Sequence, residues 1–229
     1  MKDIKSLLEN EYVQYHGVHS VGVVVDVAST KESEFDLDDF SPLRVLPPRT
    51  GKLSIRNGVG QVEIVGYEAL VKQCTKPASF LEGRKTCDLL LTTCDRPVSF
   101  LLIEITSAKD SIANLIKPIY KGRTQEIAFP GGKFQKGEEQ LFQSLQDLLC
   151  VPKIATELNA YSNRVCLLAY SIVTPEVQKQ FGFSLSPYSR YLKIESARTG
   201  DNGAQISCPR IEDLGFELRR ISHEYSYEL

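Results

Sequence analysis

Apolar residues first recur at helical spacing over residues 2–13, where Ile4, Leu7, Leu8 and Tyr12 share a face and predict a short amphipathic helix. Residues 19–28 (HSVGVVVDVA) read as a buried strand. The stretch 29–50 is polar, acidic and proline-bearing, and predicts a connection whose five carboxylates between Glu32 and Asp39 lie on a solvated loop. Residues 52–55 and 61–66 look like strands separated by the turn residues Asn57-Gly58, and 67–73 predicts a short helix. Two strong apolar runs follow, 87–93 and 98–106, divided by Cys94-Asp95-Arg96-Pro97. They form the clearest hairpin in the chain.

Beyond it, Ile112, Leu115 and Ile116 predict a helix over 107–120 that ends near Pro118, and 121–137 reads as a glycine- and lysine-rich loop holding a short strand. Leu141, Phe142, Leu145, Leu148 and Leu149 predict an amphipathic helix over 138–150, with Gln140, Gln143 and Asp147 on its polar side. A buried strand at 165–173, a short helix at 175–181 and strand-like pieces at 191–194 and 216–221 complete the pattern. Strands and helices in mixed order predict an α/β fold, a mixed central sheet flanked by helices. The chain of 229 residues divides into an N-terminal helix and strands at 1–75, a core at 76–183 and a C-terminal extension at 184–229.

Composition narrows the function classes. With 27 Lys+Arg against 29 Asp+Glu, the formal charge of -2 excludes a polybasic coat for nucleic acid and leaves room only for a local basic groove. The run 165–173 falls far short of the roughly 20 residues that span a bilayer. Asp3 and Glu9 interrupt the region where a signal peptide would need apolar residues, so the expectation is a soluble, cytoplasmic protein without a membrane partner. Six cysteines at irregular spacing, with no Cys-x-x-Cys pair, predict reduced thiols. His16 and His19 have no cysteine near them in sequence to complete a zinc site.

The hairpin carries the candidate chemistry. If its strands pair across a three-residue turn at 95–97, Cys94 faces Val98, paired numbers sum to 192, and Asp88 lies opposite Glu104. Directly opposed residues hold their Cβ atoms about 4.5–5.5 Å apart. Two carboxylates so placed repel each other and are best tolerated around a cation, and oxygen-rich sets of this kind suit Mg²⁺. The alternative is purely structural, with Asp88 satisfied by Arg84 or Lys85 and Glu104 by Lys109. Thr106 shares the face of Glu104.

The segment GRKTCDLLLTTCDRPVSFLLIEITSAKDSIANL resembles the restriction-endonuclease-like PD-(D/E)xK nucleases, whose signature is Asp, a connecting stretch, then Glu-x-Lys at the end of the next strand. The resemblance covers roughly residues 80–175. It implies a restriction-endonuclease-like core with extra N-terminal strands, and Mg²⁺ (or Mn²⁺) held by Asp88, Glu104 and the Ile105 carbonyl. It further implies hydrolysis of phosphodiester bonds in DNA, in a setting such as prokaryotic defence or DNA processing. A glutamine on a following helix also lines such sites, which gives Gln140 or Gln143 a role. An acidic residue on the N-terminal helix is common there too, where Glu9 or Glu11 stands. Thr106 replaces the motif lysine, so either a lysine arrives from elsewhere, with Lys85, Lys109 and Lys133 as candidates, or the site only binds.

A second motif, Phe129 to Glu139, resembles the opening of the Nudix box through Gly132 and Glu138. Its second half fails, because the positions of the metal-binding glutamates hold Cys150 and Val151. Lys117, Lys121, Arg123, Lys133 and Lys136 concentrate within twenty residues and would track phosphates in a nuclease. Arg219, Arg220, Tyr188, Tyr191, Tyr225 and Tyr227 suit a protein partner or a homodimer interface equally well. The leading expectation is a metal-dependent DNA nuclease. The alternatives are a catalytically inactive nuclease-like binding or assembly module and, third, a Nudix-like diphosphate hydrolase.

Overall fold

The computed structural model describes residues 3–18, 23–39, 42–74, 84–109, 113–121, 126–173 and 200–229. Its centre is a seven-stranded mixed sheet of order β1-β4-β5-β6-β9-β11-β10. From one edge inward run β1 (Val27–Thr30), β4 (Val62–Gly66), β5 (Leu89–Thr93) and β6 (Ser99–Lys109), each antiparallel to its neighbour. Beyond β6 lie β9 (Asn163–Val173) and β11 (Glu217–Ser222), both parallel to it, and then antiparallel β10 (Ala204–Ile206). The stretches 1–75, 76–183 and 184–229 therefore all contribute strands to one sheet.

A smaller sheet of β2 (Glu34–Leu37), β3 (Leu53–Arg56) and β12 (Ser226–Glu228) has the order β12-β3-β2. The strands β7 (Ile119–Lys121) and β8 (Glu126–Phe129) form a separate two-stranded ribbon. Among the described residues the helices are α1 (residues 4–15, α-helical at both ends around a π-helical Leu7–Tyr12), α2 (Tyr67–Gln73), α3 (Ala113–Ile116), α4 (Gly132–Leu149), α5 (Pro152–Leu158) and α6 (Pro209–Glu212).

Side-chain alternation along the central strands sorts the core into two clusters. Phe100 and Leu102 of β6, Leu90 of β5 and Cys166, Leu168 and Tyr170 of β9 face the helices, against Leu141, Leu145 and Leu148 of α4 and Leu7, Leu8 and Tyr12 of α1. Leu101, Ile103 and Ile105 with Leu89 and Leu91 face the other way, onto Phe35, Leu37, Leu53 and Ile55 of the small sheet. Burial on both faces explains why these strands read as unbroken apolar runs. No helix among the described residues is long and apolar enough to cross a membrane. All six cysteines are free.

Several elements differ from the sequence reading. The strand expected over 19–28 runs over Val27–Thr30 instead. Residues 19–22 lie outside the described set, and Val24 is exposed. The acidic stretch expected as a solvated loop contains β2, where Asp36 is buried because it accepts hydrogen bonds from Thr50 N (2.8 Å), Gly51 N (2.7 Å) and Ser54 Oγ (2.7 Å). Residues 52–55 and 61–66 form strands as expected, but β3 and β4 belong to different sheets. The 107–120 helix shrinks to α3, because β6 continues through Lys109 and β7 starts at Ile119. Helix α4 begins six residues before the expected 138. The helix at 175–181 and the strand piece at 191–194 fall outside the described residues.

Candidate active site

The hairpin adopts the expected register, with Leu89 paired to Ile103, Leu90 to Leu102 and Leu91 to Leu101. At its open end Asp88 leaves the regular ladder and brackets Glu104. Its N–H donates to the Ile103 carbonyl (3.0 Å), and its Oδ2 accepts from the Ile105 N–H (2.7 Å). The Asp88 carbonyl accepts from Tyr67 N (3.0 Å) and Glu68 N (3.2 Å), the first residues of α2. Four hydrogen bonds with neighbouring backbone thus hold this residue, one of them on its carboxylate.

Glu104 lies on the helix-facing side of β6 and is only 6% exposed. Above it, Gln140 of α4 donates through Nε2 to Glu104 Oε2 (3.0 Å) and to the Thr86 carbonyl (2.8 Å). The buried Gln140 Oε1 has no hydrogen-bond partner among the described residues. The helix comes this close because of Gly137, where a Cβ would lie 2.6 Å from Leu168 Cδ1 and 3.2 Å from Glu104 Cγ. An alanine in a helix interior is normally worth about 1 kcal/mol over glycine. Here overpacking of about 1–3 kcal/mol opposes that gain. The expected result for Gly137→Ala is a net loss of about 1 kcal/mol, read from urea denaturation, and a gain in stability would show that α4 does not press on Glu104.

Burial raises the Glu104 pKa to about 9, with a further rise from Asp88 and an opposing effect from Lys136. Burial also raises Asp88, to about 7, against the lowering effect of the Ile105 N–H; the carboxylates of Glu68 and Asp39 push it further up. Among the described residues neither forms a salt bridge. Arg84 pairs with Asp147, Lys85 Nζ lies 4.4 Å over the Phe129 ring, and Lys133 Nζ donates to the Ser107 carbonyl. The Lys109 side chain lies outside the described set. Asp88 also borders a cleft of about 330 Å³ with Asp26, Asp39, Glu68 and Lys72, in which Lys72 is bound to Glu68 (2.6 Å).

No group of three His, Cys, Asp or Glu side chains that could hold a metal ion occurs among the described residues. A cation here would rest on the Asp88 and Glu104 carboxylates, with the Gln140 Oε1, the Ile105 carbonyl or water completing the set. That suits Mg²⁺, which takes one or two carboxylates and keeps several waters. Two carboxylates raised chiefly by burial, beside the Gln140 amide oxygen, would suit a hard divalent ion.

Other expected residues lie elsewhere. Glu9 pairs with Lys5 (3.8 Å) and Glu11 with Lys153 (2.6 Å), so neither joins Asp88. Gln143 accepts from Lys85 N (3.0 Å) and donates to Glu139 (2.7 Å). Glu138 and Glu139 are bound by Arg210 (2.9 and 2.6 Å), and Gly132 is the first residue of α4. Tyr227 is buried, Arg219 is bound to Glu217 (2.9 Å) and Arg220 lies 4.0 Å over the Phe134 ring. Tyr188 and Tyr191 lie outside the described residues.

Sequence reasoning missed Lys136 as a neighbour of Glu104, along with Gly137 and Glu68. The available signal was spacing, since Lys136 precedes Gln140 by one helical turn and so shares its side of α4. Comparison of the chain with known family models, curated proteins and solved structures gives no match.

Proposed function

We propose that the protein is a metal-dependent nuclease that hydrolyses phosphodiester bonds of DNA at the Asp88–Glu104 pair. The observation that carries this reading is the bracketed Asp88, buried Glu104 and Gln140 cluster, in which burial raises both carboxylates and neither forms a salt bridge among the described residues. The resemblance of residues 80–175 to the PD-(D/E)xK nucleases supports it. That segment contains the hairpin, helix α4 and the parallel strand β9.

When bound, Mg²⁺ would polarise the phosphate and lower the pKa of a water. Asp88 is held at a fixed angle by the Ile105 N–H, and Gln140 fixes the orientation of Glu104. Lys136 is exposed, and its charge opposes the rise of the Glu104 pKa, while Thr106 stands where the motif has its lysine. The presence of Thr106 also favours a second reading, an inactive module that binds nucleic acid through the same face.

The test is cleavage of plasmid and single-stranded DNA with Mg²⁺ or Mn²⁺ by wild type and Glu104→Ala. Metal-dependent nicking that falls by at least about 100-fold in the variant is the expected result. Equal activity in both proteins sinks the site. An inactive wild type that still binds DNA favours the second reading.

A further inference from the structure

The regular sheet ends just short of Asp88. The last ladder pairs of β5 are Leu89 with Gly66 and Leu89 with Ile103, so residues 84–87, which lead into Asp88, lie beyond both ladders. Thr86 and Cys87 are nevertheless buried, and buried backbone N–H and C=O groups need partners.

Helix α4 supplies them, residue by residue. Asp147 pairs with the Arg84 guanidinium, Gln143 Oε1 accepts from Lys85 N (3.0 Å), Gln140 Nε2 donates to the Thr86 carbonyl (2.8 Å), and Ser144 Oγ accepts from Cys87 N (2.8 Å). Residues 140, 143, 144 and 147 stand at i, i+3, i+4 and i+7 and so share one face of the helix. Within that face Gln140 is buried and Ser144 is wholly so.

The amides of this face have fixed directions. Gln143 Nε2 donates to Glu139 Oε1 (2.7 Å) and Arg210 Nη1 donates to Glu139 Oε2 (2.6 Å), which leaves Gln143 Oε1 turned to Lys85. Gln140 Nε2 is shared between the Thr86 carbonyl and Glu104 Oε2 (3.0 Å). One helix face therefore grips both the backbone leading into Asp88 and the Glu104 side chain.

We propose that Gln143 and Ser144 are positioning residues of the candidate metal site: together with Gln140 they hold residues 85–87 against α4, and thereby set the separation of the Asp88 and Glu104 carboxylates that would share a divalent cation. This role rests on the nuclease reading, because it concerns that reaction's metal. Mg²⁺ demands near-octahedral geometry with oxygens at about 2.0–2.1 Å, so a carboxylate displaced by a fraction of an ångström loses affinity. Ca²⁺ accepts oxygens at about 2.3–2.6 Å in flexible geometry and tolerates such a displacement. A role confined to satisfying buried backbone would lower stability and leave the affinity of the folded protein for both ions unchanged.

The test is calorimetric titration of the full chain with Mg²⁺ and with Ca²⁺, in wild type, Gln143→Leu, Ser144→Ala and Glu104→Ala, at a temperature at which melting curves show each protein folded. Wild type should bind Mg²⁺ and Glu104→Ala should not. Gln143→Leu and Ser144→Ala should each raise the Mg²⁺ dissociation constant about tenfold, the size of effect that groups orienting metal ligands have. Ca²⁺ affinity should fall less. Plasmid nicking by the same two variants should drop at limiting Mg²⁺ and recover at saturating Mg²⁺.

Wild-type Mg²⁺ affinity in either folded variant overturns the positioning role and leaves the nuclease reading intact. So does an equal loss for Mg²⁺ and Ca²⁺. Gln143→Leu decides the matter if Ser144→Ala does not fold, because Gln143 is only half-buried. A wild type that binds neither ion, or Glu104→Ala that binds Mg²⁺ as wild type does, removes the nuclease reading and the positioning role with it.

Discussion

Glu104→Gln should raise the melting temperature of the metal-free protein at pH 8.5 by about 4–8 °C and flatten its dependence on pH. Folded Glu104 titrates at about 9 against an ordinary value of 4.5, and Asp88 at about 7 against 3.8. Between each pair of values the folded state holds a proton that the unfolded chain releases. Stability is therefore complete below the unfolded values and falls as pH rises through the folded ones. Each pKa unit corresponds to about 1.36 kcal/mol, and after relaxation and water penetration about 2 kcal/mol of the Glu104 penalty is a fair measure at pH 8.5. Glutamine carries no charge at any pH and keeps an acceptor for Gln140 Nε2.

Mg²⁺ should stabilise the wild type and not the variant. At 100 times its dissociation constant it would stabilise wild type by about 2.7 kcal/mol, and leave Glu104→Gln much less affected. Calorimetry at pH 6 and 8.5, with and without Mg²⁺, reads both effects. A variant that follows the wild-type pH curve would mean that Glu104 is solvated and ionised like a surface carboxylate.

The second large effect belongs to Gly132. Its φ is +69°, and a Cβ there would lie 2.4 Å from the Leu115 carbonyl oxygen, 2.6 Å from Ile116 C and 2.7 Å from the Lys117 carbonyl oxygen. These are backbone atoms, so no rotamer change relieves the clash. The left-handed conformation costs a non-glycine residue about 1–2 kcal/mol, and overpacking adds about 1–3 kcal/mol. Gly132→Ala is expected to lose about 3 kcal/mol in urea denaturation. That exceeds the loss for Gly137→Ala, where the nearest atom is a leucine methyl. A loss below about 1 kcal/mol would show that the α3–α4 junction yields freely.

The hairpin was legible because β5 and β6 are apolar on both faces and the turn between them is short enough to set the register. From that register the juxtaposition of Asp88 and Glu104 followed, whereas helical spacing put Gln140 on the polar side with Gln143, and only the resemblance offered either of them to the site; Gln140 reaches Glu104 and Gln143 does not. The bracketing of Glu104 by Asp88 was not legible, since it departs from the ladder. Strand β2 was hidden by its acids. Asp36 points inward only because Thr50, Gly51 and Ser54, more than a dozen residues later in the chain, supply its donors. The early start of α4 was masked by Pro130-Gly131-Gly132 and Gly137, which read as turn residues when each serves a close approach. Lys136 resembled any charge on a solvated helix face, and only the sheet beneath it gives it a partner.

Helix α4 touches the ribbon base through Gly132 and Glu104 through Gly137, and Phe134 between them is held by the Tyr170 ring (5.4 Å) and the Arg220 guanidinium (4.0 Å). A rod clamped at three successive points has no joint at which to bend. The contacts fall within the first six residues of the helix, so the part of α4 that meets the α3–β7 connection and the part that meets Glu104 belong to the same two turns. Because the end contacts are made where side chains are absent, the spacing between them is set by helix pitch, and no surface substitution along α4 can retune it.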